Sequence, residues 1–294
     1  MSSVVLCVFG ALGLGSWRQR PALLQCMVFI VATRSLGRLI FPKSLPHSIV
    51  LSQKGMTASI HSDLRDTRKP YSAKSDVFLE SEITVKEPFH LFDEWFKRAA
   101  QSMPPEMEKN AVHLSTVSAD GRPSGRMILL KAYDSSGFQF FTNYNSRKGR
   151  DIAGNNFVSL LFYWPHRNEQ IRVEGVAEPL PESEADNYWL KRPLNSQISA
   201  ALSQQSEPVD SRETLERLAA EQQKLVAEQG QGDVATVARP PHWGGYLVKP
   251  YEFEFWRGQS DRLHDRIRFR RGGGVLGPFT HQGENDWIYE RLQP

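Results

Sequence analysis

Two hydrophobic periods alternate along this chain, and their order predicts its elements. From Pro88 the apolar residues Phe89, Phe92, Phe96 and Ala99 fall at i, i+3, i+7 and i+10, one stripe of a helix opened by the proline. The spacing then shortens. Ala111 to Val117, Ser124 to Tyr133, Phe138 to Thr142, Phe157 to Trp164 and Gln170 to Ala177 are runs of strand length with strand-like composition. Their joints are brief and carry turn residues, among them Asp120-Gly121, Asp134-Ser-Ser-Gly137 and Pro165-His-Arg-Asn168, which predicts an antiparallel meander. From Pro181 the pattern is helical again: Glu182 to Lys191, stopped by Pro193; Asn195 to Ser203; and a long polar helix from Ser211 to Gln229, ended by Gly230. Trp243 to Gly258, Arg262 to Arg271 and Asp286 to Leu292 return to strand character. So many short strands leave exposed edges unless the sheet closes. The expected fold is therefore mainly β with flanking helices (α+β), built on a small antiparallel barrel.

The segments ahead of Pro88 differ from this body. His61 to Glu82 is polar and without apolar period, which predicts an arm. Residues 1 to 62 contain six Lys or Arg and no Asp or Glu, and their apolar runs, Val4 to Leu14 and Ala22 to Ala32, fall short of the ~20 residues a membrane span requires. No stable membrane span is expected. The organisation predicted is a leader over 1–60, a mobile arm over 61–85 and a folded domain over 86–294. The leader reads as a mitochondrial targeting segment, with a cytoplasmic protein preceded by an untranslated extension as the alternative.

Composition sharpens the picture of the body. The chain has 294 residues, 40% of them hydrophobic, enough for one large core. Its net charge of +3 comes from the leader, and the remainder holds 30 basic against 33 acidic residues, which gives no case for nucleic acid as the main partner. Both cysteines, Cys7 and Cys26, also lie in the leader. Thiol catalysis, thiolate metal sites and structural disulfides are thereby excluded from the body, and no metal is expected.

Candidate chemistry concentrates in Ser124 to Gly149, which interleaves the four cations Arg126, Lys131, Arg147 and Lys148 with two strand-like runs. It reads as a phosphate-holding hairpin. Ser146 is an expected N-cap, and cations in the following helical turn oppose the helix dipole unless an anion sits there. Ser136 to Asn143 partly matches the aromatic octamer of RNA-recognition domains but lacks its basic, small and final aromatic positions, so RNA binding is not expected. Tyr188 and Arg192, four apart, share a helix face with Ser196 just beyond; together they can grip a phosphate, although spacing alone favours an exposed pair. In Arg262-Leu-His-Asp-Arg266, strand alternation places Arg262, His264 and Arg266 on one side, where two cations flanking a histidine call for solvent or an anion.

Taken in order, Arg126-Met-Ile-Leu-Leu-Lys131, Phe141-Thr-Asn143 with Ser146-Arg-Lys-Gly149, Gln205-Ser206, Trp243-Gly-Gly-Tyr246, Trp256-Arg-Gly258, Arg262-Leu-His-Asp-Arg266 and Glu290-Arg-Leu292 resemble the pyridoxine-5′-phosphate oxidase family. The resemblance runs from about Arg68 to the last residue. It implies an FMN-binding split β-barrel working as a homodimer with flavin at the subunit interface. FMN would be held by Arg126, Met127, Ile128, Leu129, Phe141, Thr142, Arg147, Lys148, Gln170, Gln205, Ser206, Trp256 and Arg266. Lys131, Tyr188, Arg192 and Ser196 would hold the substrate phosphate. Arg262, Leu263 and His264 would lie against the pyridine ring, with Arg262 and His264 as catalytic candidates, and Arg68, Lys69 and Tyr71 of the arm would close over it. Strand alternation agrees that Arg126 and Lys131 serve different anions, because it puts them on opposite faces.

The implied activity is oxidation of pyridoxine 5′-phosphate or pyridoxamine 5′-phosphate to pyridoxal 5′-phosphate, with hydride passing to FMN and oxygen reduced to hydrogen peroxide. His264, with an ordinary pKa of about 6.5, is a candidate to take or relay a proton. Two other classes are distinguishable. A flavin reductase on the same barrel would need a nicotinamide site, for which there is no glycine-rich fingerprint, and a non-catalytic FMN or pyridoxal-phosphate module would not need Arg262 and His264 beside a ring. The leader's composition generates a first prediction: a chain starting at Met56 folds and keeps activity, and residues 1–55 carry a fluorescent reporter into mitochondria. A diffuse cytosolic reporter would favour the extension, and insolubility of the shortened chain would make the leader part of the fold.

Overall fold

A computed structural model describes residues 65, 67, 71, 77–229, 237–272 and 276–294. The leader, Arg68, Lys69 and Gly230 lie outside the described residues. Helix α1 (Pro88–Ser102) opens as expected: Pro88 needs no N–H partner at the first position, and the Glu87 carboxylate accepts from His90 N at 2.9 Å. Its buried stripe is wider than the four-residue pattern, since Leu91 and Trp95 join Phe89, Phe92 and Ala99 while Phe96 is only partly buried. Phe92 meets Phe138 and Phe162 edge-on with centroids 4.9 Å apart, and Trp95 meets Phe255 at 5.5 Å. These rings join the helix to the sheet.

The sheet comprises β1 (Ala111–Val117), β2 (Pro123–Leu129), β3 (Ala132–Asp134), β4 (Gly137–Asn143), β5 (Phe157–Trp164), β6 (Glu169–Pro179), β7 (Trp243–Arg257), β8 (Asp265–Arg271), β9 (Thr280–Gln282) and β10 (Trp287–Arg291). Every pairing is antiparallel. The path runs β2-β1-β5-β6-β7-β8-β10-β9, and β4, hairpinned to β3, branches from β7. Strand β7 pairs with β6 on one edge. Its other edge is divided between β4, over Trp243–Val248, and β8, over Glu252–Arg257. The barrel is therefore split at β7. Among the described residues no ladder closes it.

Between strands lie α2 (Arg147–Gly154), α3 (Glu182–Leu190), α4 (Leu194–Leu202) and α5 (Arg212–Gln229), each close to the predicted span. Two expectations require correction. The run Ser124 to Tyr133 is not one strand: Leu130 is buried, donates to Asn110 O at 2.8 Å and accepts from Asn110 Nδ2, after which Lys131 N donates to Gln139 O. The chain there changes partner from β1 to β4. The predicted hairpin shrinks to β3–β4, and face alternation cannot relate Arg126 to Lys131. Nor is Arg262 to Arg271 one strand. Asp261 Oδ1 accepts from Leu263 N, Arg262 adopts φ 70°, and the strand starts only at Asp265, so Arg262 and His264 stand in a loop.

One buried carboxylate ties the ends of β6 and β7 to α1. Glu169, 1% exposed, pairs with Arg98, Arg167 and Arg257 at 2.9, 2.8 and 3.0 Å. Arg257 in turn lies over the rings of Phe78 and Trp95. Replacing Glu169 by Gln keeps the shape and removes the charge these groups share. The expected cost is about 3 kcal/mol, the low end for stranding a buried charge because Arg98 and Arg167 reach solvent, read as a lowered urea midpoint at unchanged m-value. A variant as stable as the parent would show that solvent already screens the three arginines.

Candidate functional site

The predicted site residues assemble as two groups at opposite ends of β7. The first surrounds a cavity of about 640 Å³, within the usual range for small-ligand sites. Met127, Ile128 and Leu129 enter from β2, Lys131 from the β2–β3 junction, Phe141 and Thr142 from β4, and Lys148 from α2. Tyr188 comes from α3, Arg192 from the turn after it, Ser196 from α4 and Gln205 from the loop beyond. Trp243, the first residue of β7, completes an aromatic wall: Tyr188 stacks on Phe141 at 4.3 Å, and Phe141 on Trp243 at 5.5 Å. Gly245 permits this approach, since a Cβ there would come within 2.8 Å of the Phe141 ring.

The electrostatics of this cavity are one-sided. Lys131, Lys148 and Arg192 line it, and among the described lining residues none is Asp or Glu. Arg192 lies over Trp243 at 4.7 Å, and its Nη2 donates to Ser196 O at 3.0 Å. Its Nη1 is buried without a hydrogen-bond partner. An unmatched buried guanidinium nitrogen is costly unless an anion meets it. Lys148 donates to Thr142 Oγ1, Ser146 Oγ and Gln205 Oε1, all neutral acceptors. Burial, reinforced by the charge of Arg126, pushes its ammonium down to about 8.

Arg126, Arg147 and Ser206 flank the cavity without lining it. Arg126 turns towards β1, with Nη1 donating to Leu114 O and Thr116 Oγ1 and Nη2 to Ser124 Oγ. Thr116 donates to the buried Asp151, whose carboxylate lies 3.8 Å from Arg126. Sequence reasoning missed Thr116 and Asp151 because they meet only when β1 packs beside α2. Ser146 caps α2 as expected, accepting from Gly149 N at 3.3 Å, but Arg147 N is already bonded to Ser206 Oγ. This helix end therefore presents side chains more than open backbone N–H groups.

The second group lies at the far end of β7. Gln170, Trp256 and Arg266 are cross-strand neighbours on β6, β7 and β8. His264 and Tyr71 pack against Trp256 with ring centroids 5.1 and 5.8 Å away. Gly258 leaves space for this cluster, because a Cβ would sit 2.8 Å from the Trp256 ring and 2.9 Å from Tyr71. Arg262 and Leu263 are exposed beside it. Arg266 Nε donates to Glu254 at 2.7 Å, and that carboxylate raises the pKa of the guanidinium. From Trp243 to Trp256 is 13 residue steps, on the order of 40 Å at ~3.3 Å each. One chain cannot bring both groups to one ligand.

Comparisons with known proteins identify the family. The family described as Pyridoxamine 5′-phosphate oxidase matches residues 99–227, and the Pyridoxine 5′-phosphate oxidase C-terminal dimerisation region matches 243–294. The chain is 47% identical over 236 residues to the Bos taurus pyridoxine-5′-phosphate oxidase, spanning 79% of this chain and 88% of that one. It is 44% identical to the Bombyx mori pyridoxine/pyridoxamine 5′-phosphate oxidase, over 79% of this chain and 90% of that one. Among solved structures, PhzG of Burkholderia lata with tetrahydrophenazine-1-carboxylic acid is 36% identical at TM-score 0.63, covering 74% of this chain and 98% of that one. An FMN-binding protein of Nostoc punctiforme shares the fold alone, at 14% identity and TM-score 0.52, over 70% and 98% of the two chains.

The depressed Lys148 generates a pH prediction. Without a bound anion the folded state holds its proton less tightly than the unfolded one, so this group's contribution to stability rises from pH about 8 towards its ordinary value of 10.5. A phosphate reverses the preference by favouring the ammonium. Binding near pH 8.5 should take up a fraction of a proton, measured by calorimetry in buffers of different ionisation enthalpy. Lys148→Met should abolish the uptake; uptake unchanged in that variant would place the titrating group elsewhere.

Proposed function

The chain belongs to the pyridoxamine 5′-phosphate oxidase family, and from that premise we propose that it oxidises pyridoxine 5′-phosphate and pyridoxamine 5′-phosphate to pyridoxal 5′-phosphate with FMN as its cofactor. The observation that carries this reading is the cavity of Lys131, Lys148 and Arg192, free of carboxylates among its described lining and holding a buried guanidinium nitrogen without a partner. Such a site fits phosphorylated ligands. Its aromatic wall of Phe141, Tyr188 and Trp243 suits planar rings.

Two anions are assigned. Lys148, Thr142 and Gln205, with Arg126, Arg147 and Ser206 beside them, would hold the FMN phosphate, and Met127 to Leu129 would border the flavin. Lys131, Tyr188, Arg192 and Ser196 would hold the substrate phosphate. Held by these residues, FMN would supply the redox chemistry, a two-electron acceptor for the hydride of the 4′ carbon that oxygen would regenerate with formation of hydrogen peroxide. The chain's own contribution is proximity and orientation: its cations anchor the substrate by its phosphate, and the aromatic wall limits the tilt of the ring.

The dimerisation region covers all of β7 and the loop that carries His264. We infer a homodimer in which the cavity of one copy faces the Tyr71, Trp256 and His264 end of the other. Gln170 and Arg266 would then reach the flavin from the second copy, with Arg262, Leu263 and His264 against the substrate ring. Each complete site thus needs two chains.

The purified protein should be yellow, and adding pyridoxine 5′-phosphate under air should consume oxygen and form peroxide. Pyridoxine without phosphate should be at least roughly a hundredfold poorer, because Lys131 and Arg192 lose their anion. Arg192→Met should retain flavin and lose about ten- to a hundredfold in kcat/KM, the range for one charged hydrogen bond, mostly through KM. Equal turnover of the two vitamers would remove Lys131, Tyr188, Arg192 and Ser196 from the substrate site. A colourless protein indifferent to FMN would overturn the assignment of the cofactor.

A further inference from the structure

The loop between β7 and β8 closes on itself in a way that bears on the role of His264. Gln259 N donates to His264 Nδ1 at 2.9 Å, and Arg262 N donates to Gln259 O at 3.3 Å. A backbone N–H can only donate, so Nδ1 must present its lone pair. In the neutral imidazole the ring proton then resides on Nε2. A proton on Nδ1 would set two N–H groups against each other.

Gln259 is not free to swing away. It is 2% exposed, and its Nε2 donates to Asp265 Oδ2 at 2.8 Å. The same carboxylate, 5% exposed, accepts from Phe78 N at 3.0 Å and from Arg291 Nη1 at 2.7 Å. Arg291 also donates to both oxygens of Glu80 and to Phe78 O. The buried side chain of Gln259 is therefore tied to an ionic cluster whose central carboxylate, Asp265, is buried. None of Gln259, Asp265 and Arg291 lines the first cavity, so the place of the cluster in the reaction is indirect.

We infer that Gln259 and Asp265 are positioning residues which hold His264 as the Nε2–H tautomer, so that it serves the substrate as a hydrogen-bond donor and not as a proton acceptor. This rests on the proposed placement of His264 beside the substrate ring and departs from the base role open to a histidine in general. A donor suits a ring that must be oriented while hydride leaves its exocyclic carbon. The hydrogen bond would run from Nε2–H to an acceptor on the ring, and the proton that the 4′ hydroxyl or amine loses as hydride leaves would pass to water or to the reduced flavin instead of the imidazole.

The tautomer is read directly by nitrogen NMR of the FMN-loaded protein labelled at histidine, with His264 assigned by the loss of its signals in His264→Gln. Nδ1 at a pyridine-like shift and Nε2 at a pyrrole-like shift are expected; the reverse pattern, or two protonated nitrogens at neutral pH, overturns the inference. This readout needs no turnover, so it stands apart from any failure of the oxidase assay to detect activity. In kinetics, His264→Ala should lose about ten- to a hundredfold in kcat/KM. His264→Gln offers an amide N–H near the position of Nε2 and should recover to within about fivefold of the parent. Equal loss in both variants would mark a base and overturn the donor role. Gln259→Met keeps the backbone N–H and the side-chain volume but frees the loop from Asp265. It should retain flavin, lose several-fold in kcat/KM and show mixed tautomers at His264; an unchanged spectrum and rate would remove Gln259 and Asp265 from any positioning role.

Discussion

Strand β7 is the constraint on which the rest of the molecule depends. Its 15 residues carry β6 on one edge and both β4 and β8 on the other, so three parts of the sheet take their register from one segment. A slip by one residue would turn Trp243 and Trp256 to the wrong faces at once. The bulge opposite Glu174 and Gly175 lets the strand bend between its two partners without losing either. The strand's length separates the two groups of candidate residues, and that separation is the reason for proposing that a second copy completes the site.

Cations are used in two ways, and the contrast locates the site. On β6 and β8 Arg172, Arg266, Arg268 and Arg270 each meet Glu252, Glu254 or Glu290, and Arg98, Arg167 and Arg257 share Glu169. Apart from Arg266, which the proposed homodimer turns towards the flavin, these arginines are neutralised within the chain and give no local reason to attract a ligand. Around the cavity Lys131, Lys148 and Arg192 meet only neutral oxygens, carbonyls and rings. The difference resides in the absence of nearby carboxylates, a property no single residue displays.

Much of this was legible in the chain. The proline-opened helix, the spans of β1 and β5, the Ser146 cap and the final strand follow from local pattern, because each is decided within a few residues. What escaped was decided at a distance. The break at Leu130 depends on Asn110, 20 residues earlier, and the unwinding before Asp265 depends on Asp261 and Gln259 capturing backbone and ring nitrogens. Alternation therefore misplaced Arg262 and His264 on a strand. The site motifs themselves were readable as a set, yet nothing in their spacing disclosed that one chain holds them in two places.

The cluster beneath His264 joins segments far apart in the chain: Arg291 bonds Phe78 across 213 residues. The bond links the histidine loop to the core as well, because Phe78 is buried against Trp95 with ring centroids 5.2 Å apart. The loop that carries His264 and the segment ahead of α1 thus share one anchor, Asp265 with Arg291, and a substitution at either side chain disturbs both segments at once.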